Sequence, residues 1–390
     1  MAGGKLKCPY CGDENPKSAN YCEECGKKLP EEQIKASDRT NTVNMNYKPS
    51  KQGRIKNKII IAVVCIFVVI VLAGFYAFSQ QSSPSAAPQN ATVFILNQVS
   101  GASEIIDDSG TVYPIIVSSY SIGGGSGFII NKEGYIATAA HVISDPKTLK
   151  TENRIKKLDS SDLEYYVNKA AVYLFLEQTQ PDTVSNITEE QLDQLTSEAM
   201  ANGRVRAKRF DHDIYVMGPA FPDSDKNPNK AQVIEIGAVN SGVDVTLLKL
   251  NNVNTNLPVL SVRSEKIDVG ENVHIFGYPT EQFSFYEGLN ETTQTEDIWK
   301  SMFTATLTRG IVSAERTWTG GIKFYQTDAA VDHSNSGGPV LDDNNEVIGI
   351  LVMGFEKQGF NFFLPSEYLI ELCNKKGISL EGVSSSIFGL

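Results

Sequence analysis

A serine hydroxyl is a poor nucleophile unless a base removes its proton and hydrogen-bond donors receive the oxyanion that follows. The stretch Asn335-Ser336-Gly337-Gly338-Pro339 offers such a serine, and its glycines leave the hydroxyl accessible and let backbone N–H groups converge. Taken alone it could also be an ordinary tight turn, the lesser of the two readings. His141 ends Tyr-Ile-Ala-Thr-Ala-Ala-His, a strand pattern running into a helical turn, which would present the imidazole at a strand end. Asp244 heads Val-Asp-Val-Thr-Leu-Leu-Lys-Leu, where an acid before an apolar strand is costly to bury without a partner such as an imidazole. His, Asp and Ser in this order are the candidates for base, orienting acid and nucleophile. The remaining histidines, His212 in an inserted region, His274 in a core strand and His333 near the serine, read as surface or satisfied core imidazoles.

A second cluster offers metal chemistry. Cys8, Cys11, Cys22 and Cys25 form two Cys-x-x-Cys pairs, each followed by a glycine. Two such turns close a tetrahedral thiolate shell around Zn(2+), and a shell with four protein ligands has a structural role. A redox role is the alternative, without the βαβ context that would favour it. Cys65 and Cys373 complete the six cysteines, so the portion after residue 78 has a single cysteine and no internal disulfide.

Large-scale features divide the chain. Ile59 to Phe78 is an uninterrupted apolar run, long enough as a helix to cross the roughly 30 Å hydrocarbon core. Lys51, Arg54, Lys56 and Lys58 precede it and no charge follows before Glu104, so the N-terminus is expected in the cytosol and the rest outside. Residues 1–58 carry 12 Lys/Arg and 7 Asp/Glu, a charge of +5, which leaves −16 of the total −11 for the remainder. That acidic portion argues against nucleic acid as a partner. The expected divisions are a cytosolic zinc ribbon over 1–29, a polar basic tether over 30–58, a transmembrane helix over 59–78 and a linker over 79–90. A globular domain over 91–377 and a tail over 378–390 follow.

Within the globular domain, short β-rich segments punctuated by glycine suggest barrels or a sandwich. Strands are expected over Val112–Ser118, Gly127–Asn131, Tyr135–Thr138, Gln232–Val239, Val243–Leu250, Asn272–Phe276, Thr304–Val312, Lys323–Thr327 and Glu346–Val352. Ser161 to Glu164 and Thr188 to Gln191 fit capping boxes, which places a helical insertion at about 145–230.

The stretches GGGSGFIINKEGYIATAAHVI (123–143), VDVTLLKL (243–250), TRGIVSAE (308–315), TDAAVDHSNSGGPV (327–340), EVIGI (346–350) and GFNFFLPSEYLIEL (359–372) resemble, in order, the trypsin-like proteases of the HtrA/Deg group. The resemblance implies a mainly β fold, a chymotrypsin-like double β-barrel with the triad in the cleft between its barrels. It makes His141 the general base, Asp244 its orienting partner and Ser336 the nucleophile, with the N–H groups of Ser334 and Ser336 as oxyanion hole. Ser334 replaces a glycine of the family pattern, and the interval of 244 − 141 = 103 residues between base and acid exceeds the family's. Ala330, six residues before the serine, and Ile350, Leu351 and Val352 would line a pocket for small or medium aliphatic side chains. Only 14 residues follow Lys376, too few for a PDZ domain. The expected function is a membrane-anchored serine endopeptidase of a prokaryotic cell, acting on extracytoplasmic polypeptides, and a homo-oligomer is compatible with it. The alternative is a catalytically weak peptide-binding sensor that signals to the zinc ribbon.

Overall fold

The computed structural model describes residues 5–16, 22, 24, 27, 86–152, 155–221, 229–237, 243–251, 253, 256–279, 301–353 and 360–383. The expected membrane span at 59–78 and Cys25 lie outside them. No described helix is long and apolar enough to cross a membrane. Two compact units divide at residue 78.

In the first unit, β1 (Lys5–Lys7) and β2 (Glu14–Pro16) pair as an antiparallel hairpin. Its turn is closed by the Gly12 N–H on the Cys8 carbonyl at 2.8 Å, and Gly12 takes the left-handed conformation (φ 83°) that glycine tolerates without a Cβ clash. Cys8, Cys11 and Cys22 have sulfurs all within 4.8 Å of one another, and Cys8 and Cys22 are buried.

The second unit contains two closed six-stranded barrels. The first comprises β3 (Thr92–Ile106), β4 (Val112–Ile129), β5 (Tyr135–Thr138), β6 (Val205–Met217), β7 (Asn229–Ile236) and β8 (Thr246–Leu250), in the order β3-β4-β5-β8-β7-β6. The second comprises β9 (Asn272–Gly277), β10 (Thr306–Thr317), β11 (Lys323–Thr327), β12 (Pro339–Leu341), β13 (Val347–Met353) and β14 (Asn361–Pro365), in the order β10-β11-β14-β13-β12-β9. One core runs from Val93, Ile95 and Leu247 of the first barrel to Phe276, Tyr278, Leu341 and Leu369, and closed barrels leave no free sheet edge there.

Several strands differ from the sequence reading, the short β12 and β14 among them. The segments expected as separate strands at 112–118 and 127–131 are one strand, β4, and β3 and β6 were not foreseen. Their outer halves run past the barrel as a three-stranded extension: Ser103 pairs with Ile115 on one side and Ala207 on the other.

That extension exists because the insertion covers it. Helix α1 (Ala86–Ala91) leads into β3, and α2 (Pro146–Glu152) follows the His141 turn. Then α3 (Ser160–Thr179), α4 (Pro181–Val184) and α5 (Glu189–Ala201) form the helical insertion. The middle of α3 is buried on all sides from Tyr166 to Val172, and its Tyr166, Val167, Ala170 and Ala171 share a second core with Ile105, Ile115, Val117 and Val205. Lys169, 3% exposed, is charge-compensated across the α3–α5 contact by Asp193 at 2.6 Å and by Glu189. The Thr188/Gln191 capping box forms as expected. At α3 the box is instead Asp159/Asp162, two residues before Ser161/Glu164, because Asp159 accepts the N–H groups of Ser161 (2.9 Å) and Asp162 (3.1 Å). Helix α6 (Ser366–Lys376) ends at Gly377, left-handed at φ 68°.

Because this second core is separate from the barrel core, Val167→Ala should cost about 2 kcal/mol of stability. Urea unfolding measures the loss, and amide exchange should quicken in α3 and the outer halves of β3 and β4 while β9–β14 keep their protection. Uniform loss of protection would contradict an independently packed insertion.

Candidate active site

His141 lies in a 3₁₀ turn, Ala140–Ile143, directly after β5. The Asp244 carboxylate grips it twice: Oδ1 accepts the His141 backbone N–H at 2.9 Å, and Oδ2 lies 2.6 Å from ring Nδ1. The first contact fixes the turn and the second fixes the ring, so Nδ1 carries the proton and Nε2 is left as the basic atom. Both side chains are largely buried. Burial by itself lowers the imidazole pKa, but the charge and hydrogen bond of Asp244 outweigh it, and the net direction is upward from the ordinary value.

Ser336 sits where the second barrel meets the first, 5% exposed, between the 3₁₀ turn His333–Asn335 and β12. Its carbonyl accepts the Ser126 N–H at 2.8 Å, while the Ser126 hydroxyl donates to the Ser334 carbonyl at 2.8 Å and accepts the Tyr278 N–H at 3.0 Å. The Ser126 carbonyl in turn accepts the Thr138 hydroxyl at 2.7 Å. Fully buried Ser126 therefore ties β4, β5 and β9 to the nucleophile loop. The sequence reading quoted it within a motif but assigned it nothing; a lone serine among glycines gives no signal that all its polar atoms will be used.

Gly337 and Gly125 make this approach feasible. Gly337 is left-handed (φ 85°), and a Cβ there would collide with the Ser126 carbonyl and the Thr138 hydroxyl. A Cβ at Gly125 would lie 2.7 Å from Val142 Cγ2 and 2.9 Å from the Ser336 carbonyl, so the His141 turn and the serine loop flank the same glycine.

Of the two expected oxyanion donors, the Ser334 N–H donates to Asp332 Oδ1 at 3.0 Å and is committed within the loop. Of the expected pocket residues, Ala330 is exposed, while Ile350, Leu351 and Val352 are buried, with Ile350 and Val352 in the shared core and Leu351 in the second barrel's core. The Leu351 backbone holds the loop, accepting the Gly337 N–H at 2.7 Å and donating to the Gly338 carbonyl at 3.0 Å. His274 lies on β9 near Asp343, and His212 lies on β6 of the first barrel, outside the helices of the insertion.

A family model for the trypsin-like peptidase domain matches residues 125–350, and one for a zinc-ribbon domain matches residues 7–29. "Probable periplasmic serine endoprotease DegP-like" of Pseudomonas putida (strain W619) is 32% identical over 160 residues, 39% of this chain and 28% of that protein. "Serine protease HTRA2, mitochondrial" of Bos taurus is 39% identical over 90 residues (21% and 19%), and "Serine endoprotease DegS" of Escherichia coli (strain K12) is 33% identical over 81 residues (18% and 23%). The chain thus spans well under a third of the length of these curated relatives. A serine endoprotease from Yersinia pestis aligns at a TM-score of 0.39 with 20% identity, covering 75% of this chain and 66% of its own, a likeness too weak to add to the fold. With the peptidase model covering more than half of the 390 residues around the His141 and Ser336 loops, the chain belongs to the trypsin-like peptidase family.

Proposed function

We propose that the chain is a membrane-anchored serine endopeptidase of the HtrA/Deg type, cleaving extracytoplasmic polypeptides in protein quality control or regulated proteolysis. The double grip of Asp244 on His141 carries the reading, because a carboxylate that fixes both the backbone and the ring of one histidine prepares a base. Ser336 Oγ attacks the scissile carbonyl as its proton passes to His141 Nε2. The imidazolium is stabilised by Asp244 and returns the proton to the leaving amine, giving the acyl-enzyme. Water repeats the sequence on the ester and restores Ser336. The Ser336 N–H serves the oxyanion directly, and the Ser334 N–H serves it once released from Asp332. Ala330 supplies no charge, which favours small or medium aliphatic side chains over basic ones, with Ile350, Leu351 and Val352 shaping that preference from behind.

The remaining parts fit an anchored enzyme. Three thiols within 4.8 Å of one another suit Zn(2+), and Cys8, Cys11, Cys22 and Cys25 would hold it as a closed structural shell that supplies folding energy to a module too short for its own core. Residues 59–78 form the single span, with the ribbon cytosolic and the protease domain outside. A second reading, a catalytically weak peptide sensor that signals to the ribbon, is favoured by one observation, the engagement of the Ser334 N–H by Asp332.

An active-site fluorophosphonate should label the chain and leave Ser336→Ala unlabelled; equal labelling of the two, or none, overturns the protease reading. Asp244→Asn should lower kcat by about three to four orders of magnitude. Because the His141 pKa is raised, wild-type activity should rise with pH through a midpoint above that of an ordinary imidazole, and Asp244→Asn should move the midpoint down. By the same linkage, the pair stabilises the fold fully below the unfolded imidazole's pKa and loses that effect as pH rises through the folded value. Metal analysis should find one zinc per chain, lost in Cys22→Ser; zinc retained at full occupancy in that variant would reject the shell.

A further inference from the structure

We infer that Asn97 and His212 form a buried relay that positions the turn carrying His141. The inference rests on the protease reading for its purpose but not for its test. On β3 the inward row is Val93, Ile95, Asn97 and Val99, all fully buried, so an amide interrupts an apolar row inside a barrel. Burying an amide is costly unless its polar atoms are bonded. Both ends of Asn97 are: Nδ2 donates to the Val142 carbonyl at 3.4 Å, and Oδ1 lies 2.6 Å from His212 Nε2.

The directions follow from the partners. Only an N–H can face the Val142 carbonyl, so Nδ2 points there and Oδ1 toward His212, whose Nε2 must carry a proton. Burial lowers the His212 pKa, Asp213 opposes that, and Lys230 and Lys157 add to it. Protonation would occur at Nδ1 and leave the Nε2–H bond in place, so the relay does not depend on charge state.

The turn Ala140–Ile143 is therefore tethered at three successive residues. Ser144 Oγ donates to the Ala140 carbonyl at 2.5 Å, Asp244 accepts the His141 N–H, and Asn97 donates to the Val142 carbonyl. The first tether is local and the second belongs to the site. Asn97 gives the turn a hydrogen bond to β3 beside the apolar packing of Val142, and His212 prevents its amide from rotating. Neither residue touches substrate; both are positioning residues, acting through the angle at which Asp244 meets the imidazole. Displacements of about 1 Å at such a site cost up to ~100-fold in rate.

The test uses the full chain and follows the His141 ring by NMR titration, which needs no turnover, alongside kcat and KM on a peptide. In Asn97→Ala the His141 pKa should fall toward the ordinary imidazole value as the Asp244 contact loosens, with kcat down about tenfold and KM unchanged. His212→Leu should reproduce both effects, while His212→Gln, whose amide can still donate to Asn97 Oδ1, should retain most of the wild-type behaviour. Should Asn97→Ala fail to fold, the two His212 variants decide alone. An unchanged His141 titration in Asn97→Ala, or identical behaviour of His212→Leu and His212→Gln, overturns the relay. A chain whose His141 titration responds as described but that cleaves nothing would instead overturn the protease reading.

Discussion

Ser126 spends its N–H and its hydroxyl on the seam between the two barrels and its carbonyl on Thr138 behind it, and the rest of the site depends on that seam. Its three polar groups meet Ser336, Ser334, Tyr278 and Thr138 where no water competes. Leaving any one buried partner unpaired costs about 1–3 kcal/mol, so the arrangement is close to all or none. It requires a residue small enough to pass between strands yet polar on its side chain. It also forces glycine at 337, where any Cβ would occupy the space of the Ser126 carbonyl.

Given that seam, electrostatics fixes the rest. His141 is buried enough that its charged form is disfavoured, and Asp244 restores it by charge and by a short hydrogen bond. The same carboxylate holds the His141 backbone, so one side chain governs both where the imidazole stands and how basic it is. On the other side, the Asp332 carboxylate holds the Ser334 N–H and Leu351 of β13 holds Gly337 and Gly338 just after Ser336. The histidine side is thus fixed within the first barrel, and the serine side by Ser126 of that barrel together with Asp332 and Leu351 of the second.

Much of this was legible because it is local. The Asn-Ser-Gly-Gly-Pro turn, the strand ending at His141 and the strand headed by Asp244 each show in fewer than ten residues. What was not legible depends on distant pairing. β3 and β6 pair over more than a hundred residues, and their outer halves are strands only because α3 covers them, a condition that no window of either strand contains. Asp159 displaced Ser161 as the cap of α3 because an earlier acid with an acid three residues on forms the same reciprocal box. His212 read as an unremarkable imidazole since its partner, Asn97, lies 115 positions away. Among the expected zinc ligands, three converge as their spacing required, and Cys25 lies outside the described residues.

The helical insertion also bears on how the site comes into being. Base and acid are separated by 103 residues, and a loop of that length opposes their meeting through its closure entropy. Helices α3 and α5 form from contacts between near neighbours in sequence, which arise early because little chain must be ordered first. Once they pack together through Lys169 and Leu192, the effective loop between His141 and Asp244 is much shorter. A helical pair that has already formed lowers the entropic cost of bringing the imidazole and its carboxylate together, so the insertion that lengthens the chain between them also offsets part of that length.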